Sequence, residues 1–251
     1  MKIECVRLRA AARTAALVLV ATCGLGAGAS ADITAPLDTT DDAAPLMRRV
    51  AAAYTRDVAG VVAVRSHSDL RIAAPLFGRH IVDDDWYVYR DGTLAATSHK
   101  TDPRQPPLHD PYRERYLDEY TFRHVRCATC APGTAAIAYE SDAHDVAHAH
   151  GTFVVDDETA HIVSGSETPY ALPWPTKSGE LDAEWAESAK GWFPVKIVGA
   201  FVGRIGPFVG RAQYAQEITT IDRYANVETA SAELTRLTGR ASASAIESIE
   251  P

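Results

Sequence analysis

The stretch "GWFPVKIVGAFVGRIGPFVGRAQYAQEITTI" (residues 191–221) decides the fold, because it has the pattern of two long strands that meet at one turn. β-Branched and aromatic residues recur through both halves, and Gly206-Pro207 stands between the near-repeats "GAFVGRI" and "GPFVGRA". Two such units are too few for a solenoid. The glycines match neither a dinucleotide-binding nor a phosphate-loop fingerprint, so we expect them to bend a curved sheet or to allow close backbone approach. They are Gly199, Gly203, Gly206 and Gly210.

Two further hairpins are predicted upstream of this stretch. Asp91-Gly92 joins the aromatic run 86–90 to a second extended run, and an Asp-Gly pair suits a tight hairpin turn. A second turn at Asp156–Thr159 separates "TFVV" from "AHIVS". The whole pattern predicts about eight short strands in hairpins. Because few helices connect them, the strands favour an antiparallel curved sheet or open barrel over a parallel α/β fold.

Helical patterns lie at the two ends of this strand-rich region. In "AAPLMRRVAAAYTRDV" (43–58) the larger apolar residues recur at helical spacing, which predicts an amphipathic helix. A second, shorter helix is predicted in "VETASAELTRLTG" (227–239). The fold class predicted from these elements is α+β and mainly antiparallel β.

Residues 1–31 have the pattern of an export signal, with a basic start, a short apolar core and the small residues Ala29-Ser30-Ala31 before a cleavage point. We therefore expect a mature chain that begins at Asp32 and lies in the periplasm or another extracytoplasmic space. The apolar core is too short for a membrane span, and no second such run predicts a transmembrane segment in the mature chain. An alternative stays open, since the residues before Cys23 resemble a lipid-attachment motif that would anchor the exported chain.

The rest of the chain divides into a polar lead (32–42), one domain (43–240) and a flexible tail (241–251). The formal net charge is −8 at pH 7, and removal of the basic export signal makes the mature chain more acidic. An acidic chain without a basic run is a poor partner for nucleic acid. The hydrophobic content of 46% excludes a disordered chain, and no motif predicts a cofactor.

Two cysteines, Cys127 and Cys130, remain after the export signal is removed. In an oxidising compartment such a pair most simply forms a short-range disulfide. A redox motif would open a helix, whereas here Pro132-Gly133 and the strand-like "TAAIAYE" follow. We therefore predict a structural disulfide in a loop. A zinc knuckle would need two further ligands, for which the nearby histidines are the candidates.

The segment "DAHDVAHAHG" (142–151) concentrates three of the nine histidines of the chain: His144, His148 and His150. Two interpretations remain open. On a polar, solvent-facing strand the histidines have no ligand role. Alternatively, they form a metal site with Asp142 or Asp145, because histidine and carboxylate are common zinc ligands and His144 and His148 have a zinc-like helical spacing.

Signatures of catalysis are weak. "SGSE" (164–167) lacks the glycine pattern of a nucleophilic serine turn, and nothing sets the spacing of a carboxylate pair. Asp83–Asp85 and Asp156-Asp157 are placed at predicted turns, where carboxylates cap the backbone. The sequence therefore favours binding over turnover and assigns no catalytic residue.

The order of these elements resembles the LolA/LolB-like superfamily of outer-membrane lipoprotein carriers. The resemblance is carried by the hairpin "GTFVVDDETAHIV" (151–163), with Gly151 and Asp156 at matching positions, and by the strand start Trp192-Phe193-Pro194. It covers roughly residues 43–240 as one domain. It implies an unclosed antiparallel barrel covered by short helices, with an apolar cavity for acyl chains. No arginine here matches the gating arginine of the carriers, and related members sense, regulate or bind lipid without transferring lipoproteins.

This resemblance implies an exported carrier-like protein that binds an acyl chain or another apolar ligand, such as a lipid or acylated protein, and makes peripheral membrane contact. In such a barrel the core-facing aromatic residues also line the cavity. The ligand-binding residues predicted on that basis are Trp86, Phe122, Phe153, Trp192, Phe193 and Phe201. Two alternatives stay open: a metal-binding protein or metal-dependent enzyme that uses the three histidines, and an envelope sensor or interaction module on the same fold.

Overall fold

The computed structural model describes residues 42–75, 77–99, 108–172, 175–188 and 190–242. The export signal with Cys23, the polar lead up to residue 41 and the tail from residue 243 lie outside the described residues, so what the sequence predicts for them stays a prediction.

Among the described residues, ten antiparallel strands form one sheet in the order β3-β2-β1-β10-β9-β8-β7-β6-β5-β4. Within the ranges given above, β1 and β10 are the only paired strands that are far apart in the sequence, and the edge strands β3 and β4 do not pair with each other. The predicted α+β, mainly antiparallel and unclosed fold is therefore confirmed. The strands are β1 (Val61–Ala74), β2 (Phe77–Arg90), β3 (Thr93–Thr97), β4 (Thr121–Val125), β5 (Thr134–Glu140), β6 (Ala149–Asp156), β7 (Ile162–Pro169), β8 (Thr176–Ser188), β9 (Gly191–Ile205) and β10 (Phe208–Tyr224).

Several strands are longer than the sequence predicts, and the expectation of eight short strands is wrong. β1 and β2 have 14 residues each and β10 has 17. The placement of Asp83–Asp85 at a turn is wrong for the same reason, because all three lie within β2. Cross-strand partners explain how a strand holds these charges: His67 Nδ1 lies 2.9 Å from Asp84 Oδ1, and Arg240 lies 3.0 Å from Asp85 Oδ1.

The predicted hairpins are confirmed by their turns. Asp91 and Gly92 have φ angles of 49° and 74°, the left-handed pair that matches the twist of a tight hairpin. Between β6 and β7, Asp156 Oδ1 accepts hydrogen bonds from the backbone N–H and the hydroxyl of Thr159. Gly206 joins β9 to β10 with a φ of 59°, which glycine adopts without strain.

Both predicted helices are present: α1 (Ala44–Asp57) and α2 (Val227–Thr238). Asn226 caps α2 by accepting a hydrogen bond of 2.8 Å from Thr229 N–H, and the left-handed Gly239 ends it. A short 3-10 helix, Glu114–Glu119, precedes β4. No helix in the described part of the chain has the length and apolar character of a membrane span.

The two helices lie on opposite faces of the sheet, here called the inner face (α1) and the outer face (α2). On β2, Trp86 packs with α2, whereas the next residue, Tyr87, packs with Val58 at the end of α1. The sheet curls around its inner face. Asp110 interacts electrostatically both with Tyr89 on β2 and with Glu167 on β7, although five strand spacings in a flat sheet span roughly 24 Å.

Candidate functional site

One half of the inner face is filled by α1 and by aromatic side chains of β4–β8, here called the helix-covered cluster. The ring of Tyr112 lies edge-on to Trp185 and Phe153, with centroid distances of 5.3 and 5.9 Å, and Tyr139 stacks on Phe153 at 4.6 Å. Met47 of α1 and Phe153 are fully buried there. The interlocked rings make this half a packed core.

The other half of the inner face carries a second apolar group, here called the Phe201 cluster. Its buried members are Leu70, Leu108, Leu181, Ile197, Phe201 and Tyr214. The strand register brings five positions into one row across β2, β1, β10, β9 and β8, and these are Ile81, Leu70, Tyr214, Gly199 and Leu181. Phe201 lies in the next row, opposite Ala212 and Gly179. The cluster is therefore a floor that crosses five neighbouring strands.

Two glycines let the ring of Phe201 lie flat on this floor. A Cβ placed on Gly179 would stand 2.1 Å from the Phe201 ring, and a Cβ on Gly199 would stand 2.9 Å from it. The ring therefore occupies the space that side chains of the two neighbouring strands would otherwise fill. Close approach of this kind is the role expected of glycine inside a strand. The result is a shallow apolar surface.

The cover over the Phe201 cluster differs from that over the helix-covered cluster. Within the described ranges, the residues above it are Leu108 and Leu172, which lie in loops, and no residue of α1 belongs to it. Ile72, Ile81 and Leu172 are only partly buried. The centre of the floor is buried, with Phe201 7% exposed, and only its edge at Ile72 and Ile81 is partly open to solvent.

A strip of buried polar side chains borders the floor on β1, β2 and β10. Tyr214 donates a hydrogen bond of 3.1 Å to Gln216 Oε1, and Gln216 is 2% exposed. Gln216 pairs with Ser68 of β1. Two residues before Ser68, Ser66 pairs with Asp85 of β2, and both Ser66 and Asp85 are buried. Burial, with the nearby negative charge of Asp85, raises the pKa of Tyr214, so this hydroxyl stays protonated.

Asp85 anchors this strip to the end of α2. Burial alone would raise the pKa of Asp85, but hydrogen bonds from His99 and Ser98, together with the charge of Arg240, lower it overall. The carboxylate therefore remains ionised near neutral pH. The indole N–H of Trp86 donates to Arg240 O at 3.1 Å, which holds the same segment against β2.

The structure distributes the six predicted ligand-binding residues over four places. Phe122 and Phe153 lie in the helix-covered cluster, and Trp192 packs against it. Phe193 lies with Val58 beside the end of α1. Phe201 lies on the floor, and Trp86 lies on the outer face under α2. Their role in ligand binding stays a prediction, and the set does not form one surface.

The structure separates the three histidines of the 142–151 segment. His144 and His150 lie against the ring of Tyr170, with centroid distances of 4.2 and 4.8 Å. His148 is buried and points elsewhere, towards Glu119 at the end of the 3-10 helix. The three histidines are not brought to one centre, because His148 precedes β6 and its ring packs inward, whereas His150 is exposed on that strand.

A different group surrounds His148, here called the histidine–glutamate cluster: His109, Glu119 and His148. Glu119 Oε2 lies 2.6 Å from His109 Nδ1 and 2.9 Å from His148 Nε2. Asp145 Oδ1 lies 2.7 Å from His148 Nδ1. Both ring nitrogens of His148 therefore face carboxylates, and a protonated ring would donate a hydrogen bond to each. Burial alone would lower the pKa of His148, but the hydrogen bonds to Asp145 and Glu119 raise it overall.

The same loop places an ion pair inside the curled sheet. Arg113 Nε lies 2.5 Å from Asp110 Oδ2, where Asp110 is buried and the Arg113 side chain is 13% exposed. Burial raises the pKa of Asp110 to about 7, although the charge of Arg113 acts in the opposite direction. The Arg113 guanidinium lies 5.8 Å from the centre of the Tyr54 ring. This pair connects the loop to α1 and is a structural element of the interior.

Sequence reasoning missed His109, Glu119, Asp110 and Arg113. They lie in or after a proline-rich loop, and no spacing motif links them to His148. Gly199 was noted as a site of bending or close approach, and close approach is what the structure shows. Gly179 was missed, because nothing in its local sequence indicates that a ring from β9 lies over it.

Cys127 and Cys130 form a disulfide in the loop between β4 and β5. The predicted pairing is thus present in the structure.

No family model matches this sequence, and no curated protein matches it. Solved structures similar to this chain include a candidate outer membrane lipoprotein-sorting protein domain from Vibrio parahaemolyticus, with a TM-score of 0.40 and 9% identity over 76% of this chain and 98% of that one. A LolA superfamily protein from Nitrosomonas europaea has a TM-score of 0.36 and 10% identity, over 75% of this chain and 96% of that one. The MucA/MucB complex of Pseudomonas aeruginosa has a TM-score of 0.29 and 11% identity, over 73% and 99%. These matches include the superfamily that the sequence resembles.

Proposed function

We propose that this protein is a carrier-like binding protein that holds an acyl chain, of a lipid or an acylated protein, on the floor of the Phe201 cluster. The observation that carries the proposal is the flat Phe201 ring over Gly179 and Gly199. Glycine inside a strand costs stability, and the flat ring offsets part of that cost by packing over both glycines. An acyl chain would lie along the same apolar row once the loop residues Leu108 and Leu172 move away from it.

The length and chemistry of the floor suit an extended hydrocarbon. Five strands at a spacing of about 4.8 Å span roughly 19 Å, the reach of an extended acyl chain. Each methylene moved from water onto such a surface contributes about 0.8 kcal/mol. Binding of this kind needs no catalytic group.

The polar strip supplies a place for the other end of the ligand. Ser66 and Gln216 offer a hydroxyl and an amide beside the apolar row, and both are buried. A lipid carbonyl or ester next to these donors would keep its hydrogen bonds while the chain lies on the floor. The predicted export signal would place this site outside the cytoplasm.

The experiment is a titration of the purified mature chain with a fluorescent fatty acid, with Gly179→Ala as the test variant. The added methyl forces the Phe201 ring off the sheet and into the space above it, so we expect saturable binding in the wild type and binding weakened at least tenfold in the variant. The matched control is Gly203→Ala on β9, where a Cβ meets nothing closer than 3.4 Å. Circular dichroism establishes that both variants fold.

Equal affinity in Gly179→Ala and the wild type, or no saturable binding by the wild type, would contradict the proposal. Binding of a stable protein partner in place of the fatty acid would favour the sensor or interaction module.

A further inference from the structure

We propose that His109, Glu119 and His148 form a binding site for one divalent transition-metal ion with a zinc-like preference for nitrogen and oxygen ligands. His109 Nδ1, Glu119 Oε2 and His148 Nε2 all lie within 4.8 Å of one another. Two histidines and one carboxylate are a common protein ligand set for zinc. This inference is independent of ligand binding on the Phe201 floor.

The two histidines are positioned by backbone contacts between distant segments. His109 N–H donates to Ala147 O at 2.7 Å, which ties the loop before the 3-10 helix to the segment before β6. The Tyr120 hydroxyl donates to His109 O at 2.5 Å. The ring of His109 also stacks on Tyr116, with a centroid distance of 4.1 Å. The backbone therefore fixes both histidines before any ion binds.

Asp145 gives His148 the partner that a metal-bound histidine usually has. Its Oδ1 accepts from His148 Nδ1 at 2.7 Å and from Ala147 N–H at 2.8 Å, so the carboxylate is itself anchored. A hydrogen bond at Nδ1 fixes the ring orientation and directs Nε2 to the ion. Because Asp145 orients His148 in this way, the cluster differs from a simple surface ion pair, which has no second carboxylate.

The ligand atoms need to move apart only slightly to accommodate a zinc ion. Contacts of 2.6 and 2.9 Å between Glu119 Oε2 and the two ring nitrogens are hydrogen-bond lengths. Zinc bonds of about 2.0 Å in a tetrahedral site separate the ligand atoms by about 3.3 Å. Glu119 is 37% exposed, so its side chain is free to move outward by this amount when an ion replaces the protons between the ligands.

The exposure of the cluster also leaves room for a solvent ligand. His148 is 8% exposed, whereas His109 is 28% exposed. Three protein ligands with one side open to water is the arrangement of an open zinc site. The ion would join the loop at residue 109 to the segment before β6, and we expect it to raise the melting temperature.

The test is isothermal titration of the full mature chain with ZnCl₂, together with thermal unfolding with and without the ion. We expect one ion per chain, a higher melting temperature with zinc, and no binding of Mg²⁺ at the same concentration. Glu119→Gln and His148→Gln should each abolish the tight site. Asp145→Asn should weaken the affinity about 10- to 100-fold, the usual effect of removing such a partner.

The matched control is the double variant His144→Gln/His150→Gln, which removes the histidines beside Tyr170 and should bind zinc as the wild type does. If His148→Gln fails to fold, the half-exposed Glu119 carries the test. Unchanged zinc affinity in Glu119→Gln, loss of binding in the double variant, or no binding by the wild type would overturn the proposal.

Discussion

The two halves of the inner face, which lie on largely different strands of one sheet and meet at β8, are built differently. In the helix-covered cluster, α1 and large aromatic side chains fill the space, and Phe153 is 0% exposed. In the Phe201 cluster, glycines replace side chains on two strands, and the cover comes from loop residues. The comparison indicates that one half is a core of interlocked rings, whereas the other half is the surface on which the proposed ligand would lie.

Replacing one phenylalanine of each half by alanine should give the largest difference in stability between the two halves. Phe153→Ala removes a ring that packs between Tyr112 and Tyr139, so we expect a loss of about 3–5 kcal/mol in the free energy of unfolding. Phe201→Ala should cost less stability, because its ring packs over two glycines and not between two other rings, yet it should weaken fatty-acid binding more. Urea unfolding and fluorescent titration of both variants measure the two effects. An equal stability loss at the two positions would show that the floor is ordinary core.

The next contrast is between the apolar floor and the polar strip beside it. Asp85→Asn removes the ionised partner of His99 and Arg240, and we expect a loss of about 1–3 kcal/mol at neutral pH. Since the folded-state pKa of Asp85 is lowered, its stabilisation is present above the unfolded value near 3.8 and is lost as the pH falls through the folded value.

The difference in unfolding free energy between the wild type and Asp85→Asn should therefore shrink below pH 4, measured by urea unfolding at a series of pH values. A difference that stays constant down to pH 2 would remove the ionic role assigned to Asp85.

A smaller effect is expected on the outer face, away from both halves. Asn226→Ala removes the cap of α2, and such changes cost about 1 kcal/mol. Thermal unfolding should show this loss, while fatty-acid affinity stays that of the wild type. Reduced affinity in this variant would mean that the two faces are coupled.

The smallest expected effect is at the disulfide. Alkylation of the protein, purified and labelled without reductant, should modify neither Cys127 nor Cys130, because the two sulfurs are joined. Replacement of both by serine should leave fatty-acid binding unchanged, since the loop lies at the β4 edge of the sheet, remote from β8–β10. Rapid labelling of both cysteines would show that they are free in the purified protein.

The sequence predicted the elements better than the sites. Local signals were sufficient for the two helices and for the turns at Asp91-Gly92 and Gly206, because capping and left-handed backbone depend on a few adjacent residues. The sequence did not predict in the same way which face of the sheet each strand residue lies on. Trp86 and Tyr87 are neighbours on β2 but pack on opposite faces, and only the strand register decides which one meets α1.

The two candidate sites depend on contacts between residues far apart in the chain. His109 and His148 meet because a loop crosses the inner side of the sheet, and no local pattern encodes that crossing. Phe201 lies flat only because Gly179, on another strand, has no side chain. Sequence spacing grouped His148 with His144 and His150, whereas in the structure its ring lies beside Glu119 and His109.

The most direct test of the central claim is calorimetric titration with fatty acids of increasing chain length. If the chain lies on the Phe201 floor, each added methylene should strengthen binding by about 0.8 kcal/mol until the row across five strands is filled. In Gly179→Ala this gain per methylene should fall sharply, and in Gly203→Ala it should persist. Affinity that does not depend on chain length, or an equal gain in all three proteins, would contradict the account.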